Sequence, residues 1–366
     1  MICVMSGNFV QRGEAAVAPA HVRAEALLCG GADAILELPY PYAAASAEFF
    51  AGAGVEILDR LGVDELWFGS ECGDIRLLSR LAEAADSEDF IAHYAATTQG
   101  NSGTTEAYLN TLLSFAKCDI VLSSNDILGL AYLRAIRARG SKMTAVTVRR
   151  EGSAYREAQF TQHGHPSATA LRRIWRDEGL LSVLPHLPAG AAKVYERACS
   201  APPADLKFAE RLILGHFRMT PTDALESIAE LGGGLGNRMA ECARAAKSLE
   251  DFLTLAATKK YPNARLQRGI LFALTGIRAD DLRTSPAYVR LLAANDVGCK
   301  FLAACRKTST LPIVTRRADL PNTLDAQRQA ERERRAFSLY SLCRPNVENE
   351  EALWTTGAII KHGNSI

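Results

Sequence analysis

Hydrophobic positions in the first half of the chain fall into two alternating patterns. Short apolar runs bounded by Gly, Ser, Asn or Asp, at Ile2 to Met5, Ala34 to Leu38, Glu65 to Phe68, Asp119 to Leu122 and Thr144 to Val148, predict strands. Between them lie stretches with helical spacing: Ala20 to Cys29, Ala43 to Leu61, Leu77 to Ala85, Thr104 to Ala116 and Ile127 to Arg139. Gly30, Gly62 and Gly140 stand where glycine ends a helix. Alternation of this kind predicts βαβ units and a parallel sheet covered by helices on both faces. Ligands of such sheets bind beyond the carboxyl ends of the strands. The segments of interest are therefore Ser6-Gly7-Asn8, Pro39-Tyr40, Gly69-Ser70-Glu71, Ser123 to Asp126, and Arg149-Arg150-Glu151. The same residue types also build ordinary turns, and Asn125 or Asp126 has the alternative role of capping the next helix.

The second half reads as helical. After two Pro-containing linkers, Pro185 to Pro188 and Ala201 to Ala204, helices are expected at Leu206 to Phe217, Asp223 to Glu230, Met239 to Lys247, Leu249 to Thr258, Leu266 to Leu274, Val289 to Ala293 and Asp325 to Tyr340. The run Gly232 to Gly236 follows a helix rather than a strand, so it reads as a flexible helix junction and not a dinucleotide loop.

Charge sharpens this division. The whole chain of 366 residues carries a net +1, but residues 1–170 hold 13 basic and 20 acidic side chains, and residues 171–366 hold 29 and 21. The window 253–344 alone has 17 basic against 7 acidic. A polyanion held by the second half explains the asymmetry, as does a solvated basic face. Lys259, Lys260, Arg265 and Arg268 concentrate it, with Arg265 and Arg268 three apart on one helix face. Tyr261 among them has two readings, stacking on a base or packing in the core. The nine cysteines show neither C-x-x-C spacing nor a disulfide framework, so reduced thiols are expected and structural zinc is not. With no apolar run long enough to span a bilayer and no leader-like start, the expected location is cytoplasmic.

The sharpest local signal is Pro166 to Arg173. Ser167 is a good N-cap, Thr169 falls in the first turn and Arg172 follows on the same side, an arrangement suited to an anionic group. A capped helix with a basic surface is the plainer alternative.

Several segments, taken in order, resemble one family. Met5-Ser6-Gly7-Asn8-Phe9-Val10-Gln11-Arg12-Gly13-Glu14, Arg23-Ala24-Glu25, Glu37-Leu38-Pro39, Phe68-Gly69-Ser70-Glu71, Ser124-Asn125-Asp126-Ile127-Leu128-Gly129 and Ser167 to Arg172 are similar to the tRNA(Met) cytidine acetate ligases. Lys260-Tyr261, Arg265 to Arg268 and Leu311-Pro312-Ile313 extend the likeness. The resemblance implies an α/β fold: a Rossmann-like nucleotidyltransferase domain with a parallel sheet over 1–180, followed by an α-helical tRNA-binding domain over 181–366. It implies that ATP activates acetate as acetyl adenylate and that the acetyl group passes to N4 of the wobble cytidine of elongator tRNA(Met). ATP contacts carried over are Gly69, Asn125 and Arg150, with Ser167, Thr169 and Arg172 on the phosphate side. Mg2+ is expected with the phosphates, and Lys259, Lys260, Arg265 and Arg268 with the tRNA. Gln11 and Arg12 have two readings, contact with acetate or phosphate, or ordering of their loop.

The family pattern also opens with a strand and an Asn-Pro-Phe-His-Asn-Gly-His segment whose histidines hold the ATP phosphates. None of the seven histidines here stands in a His-x-Gly-His arrangement, and His163-Gly164-His165 reads as a surface loop. The expectation is a chain lacking its first βα unit, with no catalytic residue assigned and reduced or absent activity as numbered. Two alternatives stay open: a small-molecule adenylyltransferase, and a non-catalytic tRNA-binding protein.

Overall fold

The computed structural model describes residues 1–98, 105–150 and 166–363. Contacts divide the chain into two compact units, Met1–Ser46 with Ser153–Ile366, and Ala47–Gly152. This division does not coincide with the expected boundary at residue 180.

In the first unit the apolar run Ala34–Leu38 is buried at every position, and it forms a central strand, β4. It pairs in parallel with β1 (Ile2–Ser6) and antiparallel with β7 (Val289–Asn295). Two short strands, β8 (Ile313–Val314) and β9 (Ile359–Lys361), add to β7 in parallel. A small antiparallel hairpin, β2 (Phe9–Val10) with β3 (Glu14–Ala15), follows β1. Val289 to Ala293 is therefore strand and not helix. Its five residues are buried except for Arg290, which is half-buried, so the run lacks the polar face that a surface helix shows.

The hairpin turn explains Gly13. Its φ is +75°, and a Cβ there would lie 2.4 Å from the backbone nitrogen of Arg268, so the turn rests directly on the helix Asn263–Thr275. The Met5 to Glu14 motif and the Arg265 to Arg268 motif thus meet. Arg23, half-buried, donates to the carbonyls of Ala18, at 2.9 Å, Ser6, at 2.9 Å, and Gly7, and so fixes the exit from β1.

The second unit holds a parallel pair, β5 (Glu65–Ser70) and β6 (Thr144–Arg149), with Ser70 opposite Arg149. Helices span Ala47–Arg60, Ile75–Ala85, Glu88–Thr98, Thr105–Phe115 and Ser124–Arg139. Thr104, expected in the fourth, lies outside the described residues. Asp119 to Leu122, expected as a strand, is not one. Val121 is 89% exposed, and the segment is an irregular lead into the helix Ser124–Arg139, a length at which an apolar run does not settle the conformation. The helix Ser124–Arg139 lies close on β5 because Gly129 is there; a Cβ would come within 2.5 Å of the Phe68 ring.

Among the described residues, no helix is long and apolar enough to cross a membrane. The glycine run is a helix junction, but it was expected to be flexible and is instead tied down: the Glu226 carboxylate accepts from the backbone N–H groups of Gly234, at 3.0 Å, and Asn237, at 3.1 Å.

Candidate nucleotide and RNA sites

The parallel pair β5 and β6 delivers Gly69-Ser70-Glu71 and Arg149-Arg150 to the same end of their sheet. Arg150 donates its backbone N–H to the Ser70 carbonyl at 2.9 Å. Its side chain crosses Gly69, where a Cβ would lie 3.2 Å from Arg150 Cγ. Glycine at 69 thus leaves room for an exposed guanidinium directly over the strand end.

The helix Ser124–Arg139 brings the third predicted position alongside. Glu71 accepts from Asn125 Nδ2 at 2.6 Å through one carboxylate oxygen and from the Asp126 backbone N–H at 3.2 Å through the other. This two-point grip fixes the carboxamide of Asn125. Asp126 is 1% exposed and ties the floor together, accepting from Ser70 Oγ at 2.6 Å and from the backbone N–H groups of Cys72, at 3.0 Å, and Ser123, at 2.9 Å. Burial alone would raise this carboxyl; the hydrogen bonds from Ser70, Cys72 and Ser123 outweigh it and hold the group below the usual aspartate value. The alternative role of Asp126 as a cap is real, since its bond to Ser123 closes the helix start. Gly69, Asn125 and Arg150 are brought together, and Ser70, Glu71 and Asp126 are the supports that sequence reading did not assign. Their signal was present: each sits beside an assigned residue in the same strand-end segment.

The remaining predicted phosphate positions belong to the first unit. Ser167 Oγ accepts from the Ala170 N–H at 3.2 Å and caps the helix Ala168–Glu178. Exposed Thr169 meets Arg12 Nη1 at 3.4 Å, and Arg172 reaches Glu14 at 3.7 Å. Burial lowers the Arg12 guanidinium, Glu14 works against that shift, and Arg172 adds to it. Arg12, Glu14, Thr169 and Arg172 form one polar cluster joining two of the quoted motifs. Glu151, together with His163-Gly164-His165, lies outside the described residues.

The basic quartet is unequal. Lys259 and Lys260 are exposed, whereas Arg265 and Arg268 are half-buried and both serve Glu230. Arg268 Nε lies 2.9 Å from a Glu230 carboxylate oxygen, and Arg265 Nε donates to the Glu230 carbonyl at 3.1 Å. Glu230 has a φ of +69°, a strained conformation for a side-chain-bearing residue that these two arginines hold in place. Tyr261 is 8% exposed and donates to the Gly233 carbonyl at 3.1 Å, so it packs in the core, with Lys260 and Arg265 at 5.3 and 5.2 Å from its ring centroid.

Among the described residues, no group of three or more His, Cys, Asp or Glu side chains is arranged to hold a metal ion.

The HIGH Nucleotidyl Transferase family model matches residues 1–353 of this chain. A tRNA(Met) cytidine acetate ligase of Syntrophotalea carbinolica is 34% identical over 325 residues, covering 86% of this chain and 77% of that protein. One from Listeria monocytogenes serovar 1/2a is 32% identical over 359 residues, covering 96% and 89%. The crystal structure of Thermotoga maritima TmcAL in an apo form superposes with a TM-score of 0.91 at 29% identity, covering 99% of this chain and 92% of that one. A second crystal form of the Thermotoga protein, bound with alpha-thio ATP, superposes with a TM-score of 0.86.

Proposed function

This chain belongs to the tRNA(Met) cytidine acetate ligases, matching the HIGH nucleotidyl transferase family, and we propose that it uses ATP and acetate to acetylate N4 of the wobble cytidine in elongator tRNA(Met). It is a ligase that forms a carbon–nitrogen bond. The observation that carries the reading is the convergence of Gly69, Arg150 and Asn125 at the carboxyl ends of two parallel strands. That is where an α/β sheet binds its ligand, and the similar Thermotoga protein binds an ATP analogue.

In the proposed sequence, an acetate oxygen attacks the α-phosphorus of ATP, pyrophosphate leaves, and acetyl adenylate forms. The cytidine N4 amine then attacks the acetyl carbonyl, loses a proton, and AMP leaves. Both steps rest on positioning and on stabilising charge that develops on oxygen. Gly69, Asn125 and Arg150 of one unit are assigned to the nucleotide. Ser167, Thr169 and Arg172 of the other are assigned to anionic phosphate groups, Arg172 supplying positive charge and Thr169 a hydroxyl donor. Exposed Lys259 and Lys260 serve the RNA backbone, where cations act without regard to sequence. Arg265 and Arg268 hold the loop beneath them. Residues 1–180 are assigned to catalysis and residues 181–366 to tRNA, with the cytoplasm as the location.

The test is incubation with ATP and isotopically labelled acetate, with and without elongator tRNA(Met). Label recovered in N4-acetylcytidine, together with stoichiometric AMP and pyrophosphate, is the expected result. An adenylyl product that forms equally well without RNA overturns the proposal in favour of a small-molecule adenylyltransferase.

A further inference from the structure

Glu37 is a charged residue inside an otherwise apolar strand, and it is 7% exposed. It stands opposite Arg290 in the β4–β7 register, its Oε2 lying 3.2 Å from Arg290 Nε. Glu37 Oε2 and Arg290 Nη1 are both buried, and among the described residues neither makes a hydrogen bond. Buried polar atoms are nearly always satisfied, so an open donor beside an open acceptor marks a place where a ligand completes the set. The neighbouring Glu333 makes neither missing bond; its oxygens accept from Tyr288 Oη at 2.7 Å and Gln329 Nε2 at 2.9 Å, and among the described residues it bonds to neither open atom.

Both residues line a cavity of about 100 Å³, with Asn8, Tyr340 and Trp354 among the other walls. One water needs only about 10–15 Å³, so the space suits a ring better than a lone solvent molecule. The guanidinium carbon of Arg290 lies 4.9 Å from the centroid of the Trp354 ring, giving the cavity a flat cationic and aromatic side. Gly7 makes this arrangement possible: a Cβ there would lie 2.0 Å from Glu37 Oε1. Glu37 and Gly7 stand at the carboxyl ends of parallel β4 and β1, on the ligand-binding edge of the sheet.

A carboxylate oxygen only accepts and a guanidinium nitrogen only donates. Side by side they match a planar ring that presents an amine next to ring acceptors, the edge by which carboxylates read cytosine. We propose that this cavity receives the pyrimidine ring of the cytidine to be acetylated, Glu37 Oε2 accepting from its exocyclic amine and Arg290 Nη1 donating toward N3 and O2. The assignment rests on the ligase reading above and adds to it the group that selects the base. Uridine would set its O4 acceptor against Glu37 Oε2, leaving two acceptors facing each other, and a site of this type discriminates strongly.

The test uses the full chain and two anticodon stem-loop RNAs of elongator tRNA(Met), with cytidine or uridine at the wobble position, and reads binding by fluorescence anisotropy. The wild type is expected to prefer cytidine by about tenfold or more. Glu37→Gln, whose amide can turn either a donor or an acceptor to the base, is expected to bring that ratio within about threefold. Arg290→Lys keeps a cation beside Glu37 but loses the forked donor, and is expected to weaken cytidine binding by about tenfold. Thermal melting identifies any variant that fails to fold; if Glu37→Gln does, Arg290→Lys decides. A wild type indifferent to the base, or a folded Glu37→Gln or Arg290→Lys that behaves as wild type, overturns the assignment. Acetate-dependent AMP release by the wild type, measured in parallel, separates the two levels. Release without base preference sinks the cavity alone, whereas no release sinks the ligase reading.

Discussion

Asn125 donates its carboxamide N–H to Glu71 at 2.6 Å, and the same carboxylate receives the backbone N–H of Asp126 at 3.2 Å. One acidic residue after β5 therefore sets the orientation of a predicted nucleotide contact at the start of the distant helix Ser124–Arg139. A hydrogen bond to a charged group is worth about 1.5–3 kcal/mol, or roughly one to two powers of ten in an equilibrium constant. Glu71→Ala is expected to raise KM for ATP by roughly ten- to a hundredfold while changing kcat much less. Initial rates at varied ATP check this, and an unchanged KM refutes the positioning role.

Gly69→Ala places a methyl group 3.2 Å from Arg150 Cγ. The contact is with a side chain that can swing aside, so folding is expected to survive with less than about 1 kcal/mol lost, while the guanidinium moves off the strand end. Nucleotide affinity should fall by about threefold to tenfold, the scale of a weakened interaction in a protein that still folds. Equilibrium dialysis with an ATP analogue and thermal melting together read both effects.

Asp126 and Glu333 predict opposite pH behaviour. Hydrogen bonds hold Asp126 below its ordinary value of 3.8 despite its burial, so its contribution to stability is present above that value and is lost as pH falls through the lower folded value. For Glu333, burial and then repulsion from Glu37 win over Arg290 and the hydrogen bonds, and its carboxyl is pushed up to about 7 from 4.5. The folded protein then holds a proton that the unfolded chain releases. That contribution is full below about pH 4.5 and is lost as pH rises through about 7. Melting curves of Glu333→Gln should be flatter than those of the wild type between these two pH values. Equal slopes would show that Glu333 does not titrate there.

Lys259→Ala with Lys260→Ala removes two exposed cations. The melting temperature should stay put, while tRNA affinity falls and the slope of log K against log salt becomes shallower by about 0.7–0.9 for each RNA phosphate that a lysine no longer neutralises. Arg268→Ala is the contrast. It strips Glu230 of a 2.9 Å ion pair at a residue with φ of +69°, and should cost about 1–3 kcal/mol of stability. Titrations at several salt concentrations, beside melting curves, distinguish cations that serve RNA from cations that serve the fold.

The sequence by itself determined what depends on near neighbours along the chain. Helical spacing placed Ala20 to Cys29 and Asp325 to Tyr340, Ser167 announced a helix start, and the glycine after Arg139 announced an end. Such signals are local because a helix closes its hydrogen bonds within four residues and its caps within three. The strand ends at Gly69 and Arg150 were legible because short apolar runs give way there to glycine, polar and charged residues.

What the tertiary structure decided is partnership between distant segments. Val289–Asn295 is a strand because β4 and β8 flank it, and no nearby residue announces that. Arg265 and Arg268, expected with the tRNA, also pair with Glu230, a partner that nothing near them in the sequence announces. Glu37 stood in the sequence only as part of the Glu37-Leu38-Pro39 segment; its partner was decided when β7 set Arg290 across from it. A strand's hydrogen bonds and a buried charge's counter-ion both come from elsewhere in the chain, and sequence order does not record which elsewhere.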